Sequence, residues 1–228
     1  MAVLFSYNFP YFIPRTPLCI CKKEINFKPK TKKDMAFLEF TLGNKKLEID
    51  HCDIDMESPR ENYNLGTFVN IHEPSNGDKT DFEFKGKAHS REQFIEQGIK
   101  QIKKHFKDVA IVLPVHMYKH SGSSYSTSHG FPYNCEWDSG TVGFVFATKE
   151  DIRKNFMVKR VTKKLINKTS EILSIEIDEF SLWANGETFG FTLSEDGKEI
   201  DSCAGFLGSN IRENGILEHI GSEWKDVV

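Results

Sequence analysis

The 228-residue chain carries no strong charge of either sign, since 30 Lys and Arg face 33 Asp and Glu for a net charge of −3. A mimic of a nucleic-acid duplex would be far more acidic and a non-specific nucleic-acid binder more basic, so any such role has to reside in a local patch. Cysteine is scarce. The residues Cys19, Cys21, Cys52, Cys135 and Cys203 are odd in number, irregularly spaced and without a Cys-x-x-Cys pair. This excludes a zinc-knuckle pattern and argues against a disulfide scaffold, so free thiols and a reduced, cytoplasmic compartment are expected. Long hydrophobic runs are missing too. Met1 to Ile20 is apolar, but it has no basic leading segment and is interrupted by Asn8, Pro10, Pro14, Arg15 and Pro17. It therefore reads as neither a signal peptide nor a membrane helix, and no membrane association is expected. Gly-x-Ser-x-Gly, His-Glu-x-x-His and glycine-rich phosphate loops are all absent, so no motif names a reaction and no cofactor is implied.

What the chain does have is 39% hydrophobic residues and 19 Phe, enough for a real core in one large or two small domains. The N-terminal segment alternates as an extended aromatic arm with Phe5, Tyr7, Phe9, Tyr11 and Phe12. A lysine stretch follows, with Lys22, Lys23, Lys28, Lys30, Lys32 and Lys33 against Glu24 alone, and then an acidic run from Glu48 to Glu57. Ala36–Leu42 and Lys45–Asp50 alternate around Gly43-Asn44, a hairpin signature with glycine first. Thr67–His72 and Thr80–Phe84 read as two further strands about a Pro-Ser-Asn-Gly loop.

Ser90 with Gln93 reads as a capping box, and Phe94, Ile95, Ile99, Ile102 and Phe106 then fall on one helical face. Val109–Tyr118 and Thr141–Ala147 are β-rich apolar runs and predict buried strands, joined by a polar loop from Ser121 to Asn134. Thr148 predicts a cap for a short helix over 150–156. A longer helix begins at Lys163 and runs to about Ile177, although Ser174–Phe180 also alternates like a strand. Glu195-Asp196-Gly197-Lys198 is a strong hairpin signal between Thr188–Leu193 and Glu199–Phe206, and a short, glycine-broken helix is predicted within Ile211–Trp224. The fold class is α+β, a mostly antiparallel sheet with hairpins and two to four helices packed on it. A β-rich N-terminal region over 1–88 and an α+β core over 89–228 are expected, either separate or as one continuous domain.

The densest polar constellation lies between the two buried strands: His116, His120, Ser121, Ser123, Ser124, Ser126, Thr127, Ser128 and His129, then Cys135, Trp137, Asp138 and Ser139. Imidazole, hydroxyl, thiol and carboxylate are ingredients of nucleophilic catalysis, and an enzyme reading would use His116, His120 and Asp138. The same loop serves equally as a binding platform. His116 and His120 do not suggest a shared metal, because residues four apart on a strand sit roughly 13 Å apart. Trp137-Asp138-Ser139-Gly140 has a structural reading in which Asp138 and Ser139 bond a local turn and Trp137 packs as an anchor. The lysine stretch around Phe27 reads as a solvated face or as a contact for nucleic-acid phosphates.

The words His120-Ser121-Gly122, Ser126-Thr127-Ser128, Cys135-x-Trp137-Asp138-Ser139-Gly140 and Val142-Gly143-Phe144 occur in an order that resembles a family of uncharacterised proteins carried by bacteriophages and mobile elements. Asp201-Ser202-Cys203-Ala204-Gly205-Phe206 is similar to that family's terminal hairpin, with alanine where the pattern has tryptophan. The resemblance covers about residues 111–207 and implies context rather than a reaction: a compact accessory protein in the cytoplasm of a host bacterium that blocks a defence enzyme. On this reading the chain is a non-enzymatic inhibitor that binds a restriction or RNA-guided nuclease or its guide complex. Tyr7, Phe9, Tyr11, Lys28, Lys30, Lys32 and Lys33 are its interface candidates. The alternatives are an enzyme acting on a nucleotide or nucleic acid, and a nucleic-acid-binding accessory using the lysine stretch.

Overall fold

The computed structural model describes residues 38–52 and 57–228. The aromatic arm and the lysine stretch, including Tyr7, Phe9, Tyr11, Lys28, Lys30, Lys32 and Lys33, lie outside the described residues. The chain is α+β and its described residues divide into two units, one of residues 38–52 with 188–228 and the other of residues 57–187. The division thus differs from the boundary expected near residue 88.

The first unit has a four-stranded antiparallel sheet in the order β1 (Leu38–Leu42), β2 (Lys45–His51), β7 (Thr188–Glu195), β8 (Lys198–Leu207). Gly43-Asn44 turns the first hairpin as expected. In the second, Asp196 and Gly197 both take positive φ, 48° and 76°, the pair of left-handed residues that a tight two-residue turn requires. The two turns are tied together, with Asp196 N donating to Asn44 O at 3.0 Å and Asn44 Nδ2 to the Asp196 carboxylate at 3.1 Å. Leu47, Ile49, Phe191 and Phe206 form its core with Ile216, Leu217 and Ile220 of the short helix α4 (Ile216–Ile220) and with Trp224. Each fully buried side chain of this size contributes roughly 1.5–3 kcal/mol over its exposed state. Cys203, expected as a free thiol, is buried here and disulfide-bonded. Sequence spacing does not reveal which Cβ vectors face each other at bonding distance, which is what decides such a pairing.

The second unit is built on a sheet ordered β3 (Thr67–Asn70), β6 (Ser139–Thr148), β4 (Val109–Lys119), β5 (Ser123–Ser126), antiparallel throughout. Alternation along β6 divides its side chains between two clusters. Phe144 and Phe146 pack beneath helix α1 (Arg91–His105), while Val145 and Ala147 pack with Leu173, Ile177 and Phe180 of helix α3 (Lys163–Ala184). α1 approaches the sheet closely at Gly98, where a Cβ would lie 2.1 Å from the Phe144 ring. Thr148 caps helix α2 (Lys149–Phe156) through a reciprocal capping box with Asp151. At α1 the box is open: Ser90 accepts from Gln93 N, but the Gln93 side chain accepts from His89 N instead.

Three local expectations change. Ser174–Phe180 is helix, because Leu173, Ile177 and Phe180 continue the buried face begun by Thr169. Thr80–Phe84 is not a strand: Phe82 and Phe84 cover Phe106 and Phe94 from an extended segment without sheet pairing. The polar loop after β4 contains β5, whose serines alternate around the buried Tyr125.

Beneath α3 lies a buried charge network that no motif announces. Glu176 accepts from Leu65 N at 2.7 Å and Gly66 N at 3.0 Å. Arg60 stands beside it at 3.5 Å and grips Asp78 with Nε and Nη2 at 2.9 and 2.6 Å. The network fixes the segment before β3 to α3.

Candidate functional site

The polar loop words converge at one end of the second unit's sheet. Register places Ser126, His116 and Thr141 side by side across β5, β4 and β6, with Ser124, Tyr118 and Ser139 in the next such row. An irregularity in the ladder between Val115 and His116 resets the pairing, so that Thr141 rather than Val142 stands opposite the imidazole. His116 is 1% exposed, and its Nδ1 lies 3.0 Å from Thr141 Oγ1. The ring of His129 covers it at 5.0 Å between centroids. Burial pushes the His116 pKa down to about 4, with the neighbouring His129 and Arg91 adding to the effect. The ring is neutral at ordinary pH.

Arg91, the first residue of α1, staples the following loop to this row. Its guanidinium donates to Tyr133 O at 3.1 Å and to Ser139 O at 3.0 Å, and its Nη1 lies 3.5 Å from His129 Nδ1. Ser139 Oγ donates to Tyr133 O at 2.8 Å and also to Cys135 O. The turn function expected of the Trp-Asp-Ser-Gly word therefore belongs to Ser139. The Asp138 carbonyl accepts from Lys119 N at 2.8 Å, while its carboxylate stands 3.8 Å from His120 Nδ1 in an exposed pair. On the other side of the platform Thr127 Oγ1 meets Ser174 Oγ at 2.7 Å, and the Ser181 hydroxyl accepts from Tyr125 N at 2.7 Å. These contacts hold the β5 loop on α3. Ser126 is buried and accepts from Ser128 N, while Ser121 is exposed.

The three residues of the enzyme reading are not one constellation. His120 and Asp138 meet at the surface, whereas His116 lies four residues back along β4, sealed under His129 with Thr141 as its hydrogen-bond partner. A neutral imidazole that binds its proton only near pH 4 is poorly matched to general base work at neutral pH. Among the described residues no hydroxyl or thiol hydrogen-bonds the His120 ring, and no group of three or more His, Cys, Asp or Glu is placed to hold a metal. Cys135 carries a free thiol.

Trp137 corrects the expectation of a packed anchor. It is 90% exposed, and Phe131 on the same loop is 85% exposed. The reason is local: Arg91 and Ser139 already fix the loop through backbone carbonyls, so the indole is not needed to hold it. Sequence reasoning missed Phe131 and Arg91. The signal for Arg91 was its position immediately after the Ser90 cap, facing the ends of the strands that α1 covers.

Among the described residues no helix is long and apolar enough to cross a membrane. Compared with protein-family models, curated proteins and solved structures, the chain matches none.

Proposed function

We propose that this chain is a non-catalytic binding protein, an anti-defence factor of the kind its phage-type sequence words imply, which inhibits a host nucleic-acid-targeting nuclease by protein contact. The observation that carries the reading is the display of Trp137 and Phe131 on a loop whose backbone is stapled from beneath. A large aromatic held in water by a rigid loop is a ready anchor, since such side chains bury 150–250 Å² or about that much on docking and dominate interface energetics. The stapling supplies preorganisation, which lowers the ordering cost of association. His120 and Asp138 belong at the rim of this surface. Tyr7, Phe9, Tyr11, Lys28, Lys30, Lys32 and Lys33, which lie outside the described residues, remain the sequence-based candidates for contact with such a partner.

The test is co-purification from a bacterium carrying restriction and RNA-guided systems, with the tagged wild type beside a Phe131→Ala/Trp137→Ala double variant. The expected result is a nuclease or its guide complex retained by the wild type and lost from the double variant, with equal recovery of the two baits. Retention of no nuclease component, or equal retention by both, would contradict the proposal.

A further inference from the structure

An asparagine followed by glycine exposes its side-chain amide to its own backbone, because glycine has no Cβ to shield the next nitrogen. The chain has three such pairs, Asn76-Gly77, Asn185-Gly186 and Asn214-Gly215. The structure separates them by what each glycine N–H does. Gly77 N donates to Pro74 O at 3.2 Å and Gly186 N to Trp183 O at 3.0 Å, so in both pairs the nitrogen that would attack is tied into a backbone turn. Gly215 N donates to no group among the described residues.

The amide is prepared at the same place. Asn214 Nδ2 donates to Gly208 O at 2.9 Å, and its Oδ1 accepts from Ile216 N at 3.1 Å. The first contact holds the side chain in one orientation. The second aims an N–H at the oxygen on which negative charge grows when a nucleophile adds to Cγ. Asn76 and Asn185 are held through Nδ2, by Glu73 at 2.7 Å and Glu187 at 3.0 Å, and among the described residues no backbone N–H is placed on their Oδ1.

We infer that Asn214-Gly215 is a self-modification site, at which the folded chain converts its own amide to a carboxylate through a cyclic imide. Hydroxide takes the Gly215 amide proton, the nitrogen bonds to Asn214 Cγ as the carbonyl electron pair moves onto Oδ1, and the returning pair breaks the Cγ–Nδ2 bond. Ammonia leaves with a proton from water. A second water then opens the imide at one of its two carbonyls, which either restores the main chain as an aspartyl link or diverts it through the side chain as an isoaspartyl link. The sum is one water consumed and one ammonia released, with no oxidant, reductant or cofactor.

The products matter to the first unit. Both replace the donor to Gly208 O with an acceptor and add a negative charge. The isoaspartyl link also inserts one backbone carbon just before α4, whose Ile216, Leu217 and Ile220 belong to that unit's core. The site is separate from the loop platform and stands whether or not that surface engages a nuclease.

The experiment is incubation of the full chain in mildly alkaline buffer, folded and in urea, with peptide mass mapping of the amide-to-acid conversion at each pair over time. Methyl transfer by an isoaspartyl methyltransferase then reports the isoaspartyl product. In the folded protein Asn214 should convert at least about tenfold faster than Asn76 and Asn185, the advantage of a positioned amide over two whose nucleophile is engaged. In urea the three rates should converge, because the dipeptide is the same. The methyl label should map to residue 214 and be absent from Asn214→Gln at that peptide. Conversion of Asn76 or Asn185 as fast as Asn214 in the folded protein would overturn the proposal. So would an Asn214 that stays intact while the unfolded chain converts, or a preference for Asn214 that persists unchanged in urea.

Discussion

The imidazole of His116 is held neutral beneath His129, and this gives the protein an acid limit with a defined sign. Its folded pKa is lowered to about 4 from an unfolded value of 6.5. Between those values the unfolded chain takes up a proton that the folded chain excludes, so the contribution is fully present above about pH 6.5 and is lost as the pH falls toward 4, with about 3 kcal/mol at stake. Urea midpoints at about pH 7 and about pH 4.5 should show the wild type losing more stability than His116→Gln, which cannot titrate. An equal loss in both proteins would mean that the acid sensitivity lies elsewhere. Trp137 carries the opposite expectation. Exposed as it is, Trp137→Ala should change stability by no more than about 0.5 kcal/mol, whereas a buried tryptophan would cost about 3–5 kcal/mol. That His116 would be buried was legible in its place at the end of a β-rich run. The exposure of Trp137 was not, because the Arg91 contacts that help make the indole dispensable come from a residue more than 40 positions away in sequence.

Among the elements, those with local grammar were legible. The hairpin at Asp196-Gly197, the cap at Thr148 and the apolar runs of β4 and β6 formed where turn chemistry, capping and periodicity pointed. Gly197→Val should cost about 1–2 kcal/mol through its forced positive φ, there being open space around the new side chain, and an unchanged thermal midpoint would contradict the turn assignment. The elements that differed are ones where period alone cannot decide. Phe82 and Phe84 alternate like a strand because they cover α1 from an extended chain. The second half of α3 alternates like a strand only until Glu176 is counted on its inner face. That carboxylate is where the helical period places a buried residue, and its partners are backbone N–H groups of Leu65 and Gly66. Glu176→Ala should therefore cost about 3–5 kcal/mol by leaving Arg60 buried beside an emptied acceptor site. A loss below 1 kcal/mol or so in chemical denaturation would show that Asp78 alone satisfies the guanidinium.

For the whole molecule, the α+β class followed from hairpins and helix signals, but the arrangement of units did not. The first unit is assembled from both ends of the sequence, since β2 pairs with β7 across the residues that build the second unit. Local composition carries no record of such a pairing. The disulfide at Cys203 is hidden from spacing arguments for the same reason. Alkylation of denatured protein before and after reduction should label more cysteines after reduction, and equal labelling would restore the all-thiol expectation. Within the second unit the loop segments at His120–Gly122, Ser126–Ser128 and Trp137–Gly140 come together as one platform with a stapled interior and an aromatic exterior, and the proposal is that this exterior binds. The most direct test is protection of phage from a susceptible defence nuclease in cells expressing Phe131→Ala/Trp137→Ala or Asp138→Asn protein, each compared with wild type at matched melting temperature. The expected result is that the aromatic double variant protects no better than an empty vector while Asp138→Asn protects as wild type does. A stable Asp138→Asn protein whose effect falls about a hundredfold, the size of a lost general acid or base, beside an unaffected aromatic variant, would contradict it.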